Sequence, residues 1–307
     1  DGIYENIQNY SKNLSASIST SPALVHLNGN TAIAFGNENG MLWFIDSSCV
    51  VLDSIQCAST TISAIAFLSD VNARDSFFVA AGNKIYSRTS SAELNFSPST
   101  AVIGTTKDNT GEWIAVGEKF GKRFAVYSAS LQEQYWSASL PVDSICSIAI
   151  GDINGDGWNE VLINGGSALV AYNKYGAMVE NFPIHLLTNE LFVGTPLIAD
   201  INDDGVAEVL TISSQGILRI YKKDGTMLSG TPLQLSTAGT NNLALMNVGG
   251  SPGICILHAQ GIVSGIKFSS PFSSSENYWT QEQGSSQRFG FAYASTHSIQ
   301  SVSELLP

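Results

Sequence analysis

Residues 151–162 read GDINGDGWNEVL, and residues 199–210 repeat the pattern as ADINDDGVAEVL. Each stretch presents an oxygen-bearing side chain on alternate positions: Asp152, Asn154, Asp156 and then Glu160; Asp200, Asn202, Asp204 and then Glu208. Hard divalent cations take this kind of donor set, calcium using about six to eight oxygens from carboxylates, amides, backbone carbonyls and water. The glycine after the third donor, Gly157 or Gly205, allows a sharp turn, and the backbone carbonyls of Trp158 and Val206 stand next in the ligand order. An EF-hand needs a glutamate at the twelfth loop position, but Ile163 and Thr211 stand there, and apolar alternation rather than an amphipathic helix follows. The pattern predicts two calcium loops set between β-strands, each ion having a structural role. Asp, Asn and Gly are also what tight turns require, so one such loop alone reads as an ordinary turn. Two copies that match at every donor position favour the ion.

The recurrence extends outward. Residues 147–187 align almost without gaps to residues 195–235, each copy giving an apolar strand, the loop, a second apolar strand, a Gly-containing turn, a strand ending near Tyr172 or Tyr221, another Gly turn and a fourth strand. Four strands in about 40 to 50 residues is the signature of a propeller blade. On these residues the two units resemble the FG-GAP or VCBS repeats of integrin-alpha-like propellers, which are common in secreted bacterial surface proteins. The resemblance is strong over the two units and a degenerate echo elsewhere.

Further units follow the same rhythm. The expected fold is an all-β propeller of six blades, with seven as the alternative count, and four antiparallel strands per blade. The blades fall at about 23–59, 63–97, 101–140, 147–187, 195–235 and 242–268. Residues 2–10 resemble 176–184 and are expected to close the ring as a strand of the last blade, since closure removes exposed sheet edges. Residues 269–307 are expected to pack on the ring or act as a linker. The other blades lack the metal pattern. Asn28-Gly29-Asn30 is too short, Lys107 and Thr110 spoil the third loop, and residues 247–255 carry no carboxylate. In the second unit Asp70 and Asn72 keep two donor positions while Arg74 takes the third, giving either an ion pair with Asp70 or Asp75 or, as the favoured reading, a decayed surface loop. An aromatic near the end of each third strand, Phe44, Tyr86, Tyr127, Tyr172, Tyr221 and Phe268, is expected to pack between blades.

Of 307 residues 44% are hydrophobic and 13% charged, ample for a large core in one domain. The 26 acidic residues against 14 basic ones, net charge -12, argue against nucleic acid or an anionic membrane as partner, because both reward clustered Lys and Arg. No apolar run reaches the roughly 18 residues of a membrane helix. A start at Asp1 is what a processed product or a piece of a longer precursor would show. Low lysine content, abundant small polar residues and the calcium loops lead to an expected extracellular, secreted or cell-surface location, with the fragment monomeric. Cys49 and Cys57 could bridge across a turn in an oxidising compartment, whereas Cys146 and Cys255 read as buried thiols.

No catalytic constellation can be assembled. His26, His185, His258 and His297 share no ligand spacing, and there is no nucleophile elbow, phosphate loop or dinucleotide fingerprint. The expected function is a binding, adhesion or scaffolding module of a larger protein, with an unidentified protein or glycan as ligand. The alternative is a carbohydrate-active propeller, lectin or polysaccharide lyase, in which Trp43, Trp113, Trp136, Trp158 or Trp279 would stack on sugar rings. The integrin-like resemblance implies that ligands use the face opposite the metal loops: residues 37–40, 82–83, 119–122, 164–167, 213–216 and 258–261, and the linker 188–194. There, Glu190, Leu191 and Phe192 are the contact-prone residues, a Leu-Phe pair being equally suited to a place between blades.

Overall fold

A computed structural model describes residues 11–14, 16–68, 73–187, 189–235, 240–258 and 263–271. The expected closing strand at 2–10, Asp70 and Asn72, and the segment from residue 272 onward lie outside them, as do His297 and Trp279. The described residues form six antiparallel sheets and no helix. Sheet 1 comprises β1 (Ala23–Leu27), β2 (Asn30–Gly36), β3 (Met41–Ile45) and β4 (Val51–Gln56). Sheet 2 has β5 (Ile62–Phe67), β6 (Phe77–Ala81), β7 (Lys84–Tyr86) and β8 (Ser91–Glu93). Sheet 3 has β9 (Ala101–Asp108), β10 (Gly111–Glu118), β11 (Arg123–Ser128) and β12 (Gln134–Ser139). In sheet 4 stand β13 (Ser147–Gly151), β14 (Glu160–Asn164), β15 (Ala168–Asn173) and β16 (Ile184–His185). Sheet 5 repeats this as β17 (Phe192–Ala199), β18 (Glu208–Ser213), β19 (Ile217–Tyr221) and β20 (Leu233–Gln234). Sheet 6 shows β21 (Thr240–Val248), β22 (Ser251–His258) and β23 (Val263–Lys267).

Each sheet is a simple meander in chain order. The second strands of sheets 2 to 5 are buried along all or most of their length, because each of these sheets has a neighbouring sheet on both sides. Contacts between sheets run in sequence, β2 against β5, β5 against β9, β9 against β13, β13 against β17 and β17 against β21. The inner strands therefore line up side by side and the later strands lie outward, which is the blade arrangement of a propeller. One apolar cluster spans sheets 3 to 6, and two smaller ones join sheets 1 with 2 and 2 with 3. The strand-end aromatics sit in these seams: Phe44, Tyr127, Tyr172 and Tyr221 are buried, while Tyr86 and Phe268 are half-buried against a cluster.

The turns between second and third strands are joined by main-chain hydrogen bonds to the linkers that connect sheets. Cys57 and Ala58 donate to the Gly40 carbonyl, Phe120 to Ile145, Ile145 to Gly121, Phe192 to Gly166 and Ser214 to Leu191. All these turns thus share one face, and the loops between first and second strands share the other.

Three readings of the sequence are corrected here, the first being that Cys146 and Cys255, expected as buried thiols, are only partly buried. Cys49 and Cys57 are free thiols at opposite ends of β4, which at about 3.3 Å per residue separates them far beyond the ~7 Å reach of a disulfide. Burial pushes the Cys57 thiol up to about 11. Arg74 does not pair with Asp75; its Nε stands 3.0 Å from Asp53 Oδ2 on β4 of the preceding sheet, and Asp75 pairs with Arg88.

Candidate metal loops and the cleft beside them

The loop between β13 and β14 is organised by its own carboxylates. Asp152 Oδ1 accepts from the backbone N–H groups of Gly155 at 2.7 Å and Asp156 at 3.2 Å, and its Oδ2 accepts from Gly157 at 2.8 Å. Asn154 Oδ1 accepts from Asp156 N and Asp156 Oδ1 from Trp158 N, each at 2.8 Å. Short polar side chains that bond the backbone two to five residues ahead wind the chain into a tight coil. Gly157 completes it at φ 84°, a conformation closed to most side chains.

The loop between β17 and β18 repeats the geometry. Asp200 collects the N–H groups of Asp203, Asp204 and Gly205, Asn202 Oδ1 that of Asp204, and Asp204 Oδ1 that of Val206. In each loop the glutamate at the start of the next strand reaches back. Glu160 Oε2 accepts from Ile153 N at 3.2 Å and Glu208 Oε2 from Ile201 N at 3.1 Å. The loop therefore closes on a carboxylate that is 1% exposed in one copy and 2% in the other. Burial pushes the Glu160 carboxyl up to about 8, the charges of Asp156, Asp152 and Asp108 adding to it while the Ile153 bond opposes it. Glu208 is pushed by burial to about 7, with Asp204 and Asp200 adding and the Ile201 bond opposing.

These residues fit a hard cation by donor chemistry. Three carboxylates and an amide gather in each loop, and among the described residues no Lys or Arg forms an ion pair with any of them. A cation would relieve the crowding that protonation of the glutamate otherwise relieves. As the side chains stand, no three carboxylate, imidazole or thiolate groups converge on one point among the described residues. Instead the amide nitrogen occupies the middle. Asn154 Nδ2 donates to Asp156 Oδ2 at 3.1 Å and Glu160 Oε1 at 3.3 Å, and Asn202 Nδ2 to Asp204 Oδ2 at 3.1 Å and Glu208 Oε1 at 2.7 Å. Asp152, Asn154, Asp156 and Glu160 are thus brought together, and so are Asp200, Asn202, Asp204 and Glu208.

Sequence reasoning missed Asp108. It belongs to the tight hairpin between β9 and β10, yet its Oδ2 accepts from Asn159 N in the first candidate loop at 3.1 Å and from Trp113 Nε1 at 3.1 Å. Asn159 Nδ2 reaches back to Thr106 Oγ1 at 2.7 Å, so sheet 3 braces this loop. Nothing in the local sequence of residue 108 signals a partner 51 positions ahead.

The remaining candidates divide. Of the contact-prone linker residues, Leu191 is exposed, but Glu190 and Phe192 are buried and cannot meet a ligand. Glu190 is turned inward by Arg219, which sequence position alone does not reveal. On the same face Phe120 is 70% exposed at φ 64°, an uncommon conformation for a bulky side chain, held between its own N–H bond to Ile145 and that of Gly121 to Glu118. Among the described tryptophans Trp113 is fully buried, Trp43 and Trp136 are partly so, and Trp158 is exposed. Trp158 borders a cleft of about 630 Å³ that also takes in Asn154, Asp156 and Glu160.

No family model matches the chain, and no curated protein matches it in sequence. Solved structures match its fold. BBS1N in complex with ARL6DN is 15% identical with a TM-score of 0.56, over 82% of this chain and 79% of that one. A chain of the mitotic checkpoint complex is 12% identical with a TM-score of 0.56, over 84% and 75%. Virginiamycin B lyase from Staphylococcus aureus is 15% identical with a TM-score of 0.53, over 82% and 86%. At such identities the likeness concerns architecture: this chain has the β-propeller arrangement of those structures, built from six sheets of three or four antiparallel strands.

Proposed function

We propose that the chain is a calcium-stabilised propeller of FG-GAP or VCBS type that serves as a binding or scaffolding module in an extracellular, secreted or cell-surface protein. The observation that carries this reading is the duplicated loop. Two copies share the same donors, the same backbone bonds and the same buried glutamate, which turn formation alone does not require. When bound, the cation supplies positive charge at the carboxylates; the chain's part is to gather the donors and keep the glutamate out of water. Two of the architectural neighbours come from structures of protein complexes, which supports a role in protein binding. The face opposite the loops offers such a partner Phe120 between Lys119 and Lys122, an aromatic anchor flanked by cations.

The test is a calorimetric calcium titration of chelator-stripped protein with melting curves alongside. Two binding events are expected, one lost in Asp156→Ala and the other in Asp204→Ala, each ion raising the melting temperature by mass action. No heat at millimolar calcium would reduce both loops to turns.

A further inference from the structure

We propose that the cleft between sheets 4 and 5, on the loop-bearing side, binds a neutral or amino saccharide. This gives the binding-module reading a ligand and rests on that reading, but on no assumption about the ions. The cleft holds about 630 Å³, within the size range of small-molecule sites. One wall is the indole of Trp158, 53% exposed, with the exposed Met178 beside it. Glu180 and Asn181 line it from sheet 4, and Lys223 and Asp224 from the turn that follows β19.

The argument comes from comparing the two sheets that share one plan. In both, a tyrosine at the end of the third strand bridges to a methionine, Tyr172 to Met178 and Tyr221 to Met227, and three residues on the chain turns through a left-handed position. Sheet 5 fills that position with Gly230 at φ 90°, where glycine carries no steric penalty. Sheet 4 fills it with Asn181 at φ 67°, accepting a less favourable backbone and gaining a side-chain amide at the cleft. The residue before it is Glu180 in sheet 4 and Ser229 in sheet 5. In the loops, Trp158 stands where the other copy has Val206. The neighbouring sheet is thus built without the counterparts of Trp158, Glu180 and Asn181, yet all three departures line one cleft, where Asn181 Nδ2 also lies 3.4 Å from the Lys223 carbonyl.

Their chemistry names the ligand class. An exposed indole face stacks on the C–H face of a pyranose ring, and carboxylates and an amide take the surrounding hydroxyls. Outside the loop donors the cleft carries the carboxylates of Glu180 and Asp224 against the single cation of Lys223, so uronates and sulfated sugars are repelled while a neutral or amino sugar is accepted.

The experiment is a tryptophan-fluorescence and calorimetric titration of the whole chain with diacetylchitobiose, cellobiose, chitosan dimer and digalacturonate, in calcium and in chelator. Trp158→Val and Asn181→Gly install what the neighbouring sheet carries at the same positions, and unchanged melting curves confirm that they fold. At least one of the three non-anionic disaccharides is expected to bind in the millimolar range or tighter and to change the Trp158 emission. Trp158→Val should weaken it about tenfold or more, Asn181→Gly severalfold, and digalacturonate should not bind. Absence of binding by all three, binding unchanged in both variants, or digalacturonate binding equally well overturns the proposal. Sugar binding by a protein that takes up no calcium keeps this inference and removes the calcium reading; two calcium sites without sugar binding does the reverse.

Discussion

Arg219 and Glu190 form a largely buried two-pronged pair, Nη1 to Oε1 at 2.7 Å and Nη2 to Oε2 at 2.9 Å, with Arg219 8% and Glu190 4% exposed. In sheet 4 the position of Arg219 is Val170: Val170 faces Ile163 across the strands as Arg219 faces Thr211. An apolar solution to the same site therefore exists in this chain. Removing one charge should be far worse than removing both. Arg219→Val leaves a buried carboxylate without a partner and is expected to lower unfolding free energy by about 3–5 kcal/mol, whereas the Arg219→Val, Glu190→Leu double variant should recover most of it. Denaturant unfolding of the two variants and wild type checks this. The pair also sets a pH response. Burial alone would raise the Glu190 carboxyl, but the hydrogen bonds from Arg219 and Ser213 and the Arg219 charge outweigh it and hold the group below the ordinary glutamate range. A lowered value contributes stability that is complete above the unfolded-state value, about 4.3, and is lost as pH falls through the folded one. Melting temperature should drop on acidification below that point, and Glu190→Gln should flatten that part of the profile; an unchanged slope would mean the pair carries no linkage.

At the scale of elements, the two candidate metal loops are equal in sequence pattern but not in support. The first is held by the β9–β10 hairpin through Asp108, Thr106 and Asn109, whose Nδ2 lies 3.4 Å from the Gly157 carbonyl. The hairpin is itself tied down by Lys174, which donates to the Thr110 carbonyl at 3.0 Å while lying over the rings of Tyr135 and Tyr175. In the second loop Ala207 replaces Asn159, so that bond to the preceding sheet has no counterpart there. Asp108→Ala should strand the Asn159 N–H and the Trp113 indole N–H at a cost of about 1–3 kcal/mol. Calcium affinity of the first loop should fall severalfold while that of the second stays put. Titrating Asp108→Ala in the Asp204→Ala and Asp156→Ala backgrounds separates the two sites. Equal loss at both would show that the hairpin acts on the whole fold and not on one loop.

For the whole molecule, the architecture was legible because strand alternation, glycine turns and a duplicated unit all point the same way. Segments such as EVLIN and EVLTIS at Glu160–Asn164 and Glu208–Ser213 become second strands buried along their whole length. That the polar side chains of each loop gather together is legible too, since they lie within nine residues of one another and local spacing dictates local geometry. What stayed hidden is what joins separate sheets. Asp108 to Asn159, Glu190 to Arg219 and Arg74 to Asp53 are side-chain meetings set by how blades face each other, and no period within the chain encodes them. The Cys49–Cys57 bridge that the spacing leaves open does not form, for the related reason that closeness in sequence becomes distance once a strand is drawn out between them.

The turn-to-linker seams of that face are made by main-chain atoms, the carbonyls of Gly40, Ile145, Gly166 and Leu191 among them, and main-chain bonds are indifferent to most of the side chains that project beyond them. Tips such as Asn39 and Phe120, whose side chains make no hydrogen bond to a linker among the described residues, can therefore be rewritten without unfastening one blade from the next. Evolution, or an engineer, inherits a surface whose wording can change while its binding holds: recognition on this face is free to drift toward new partners at little risk to the fold that displays it.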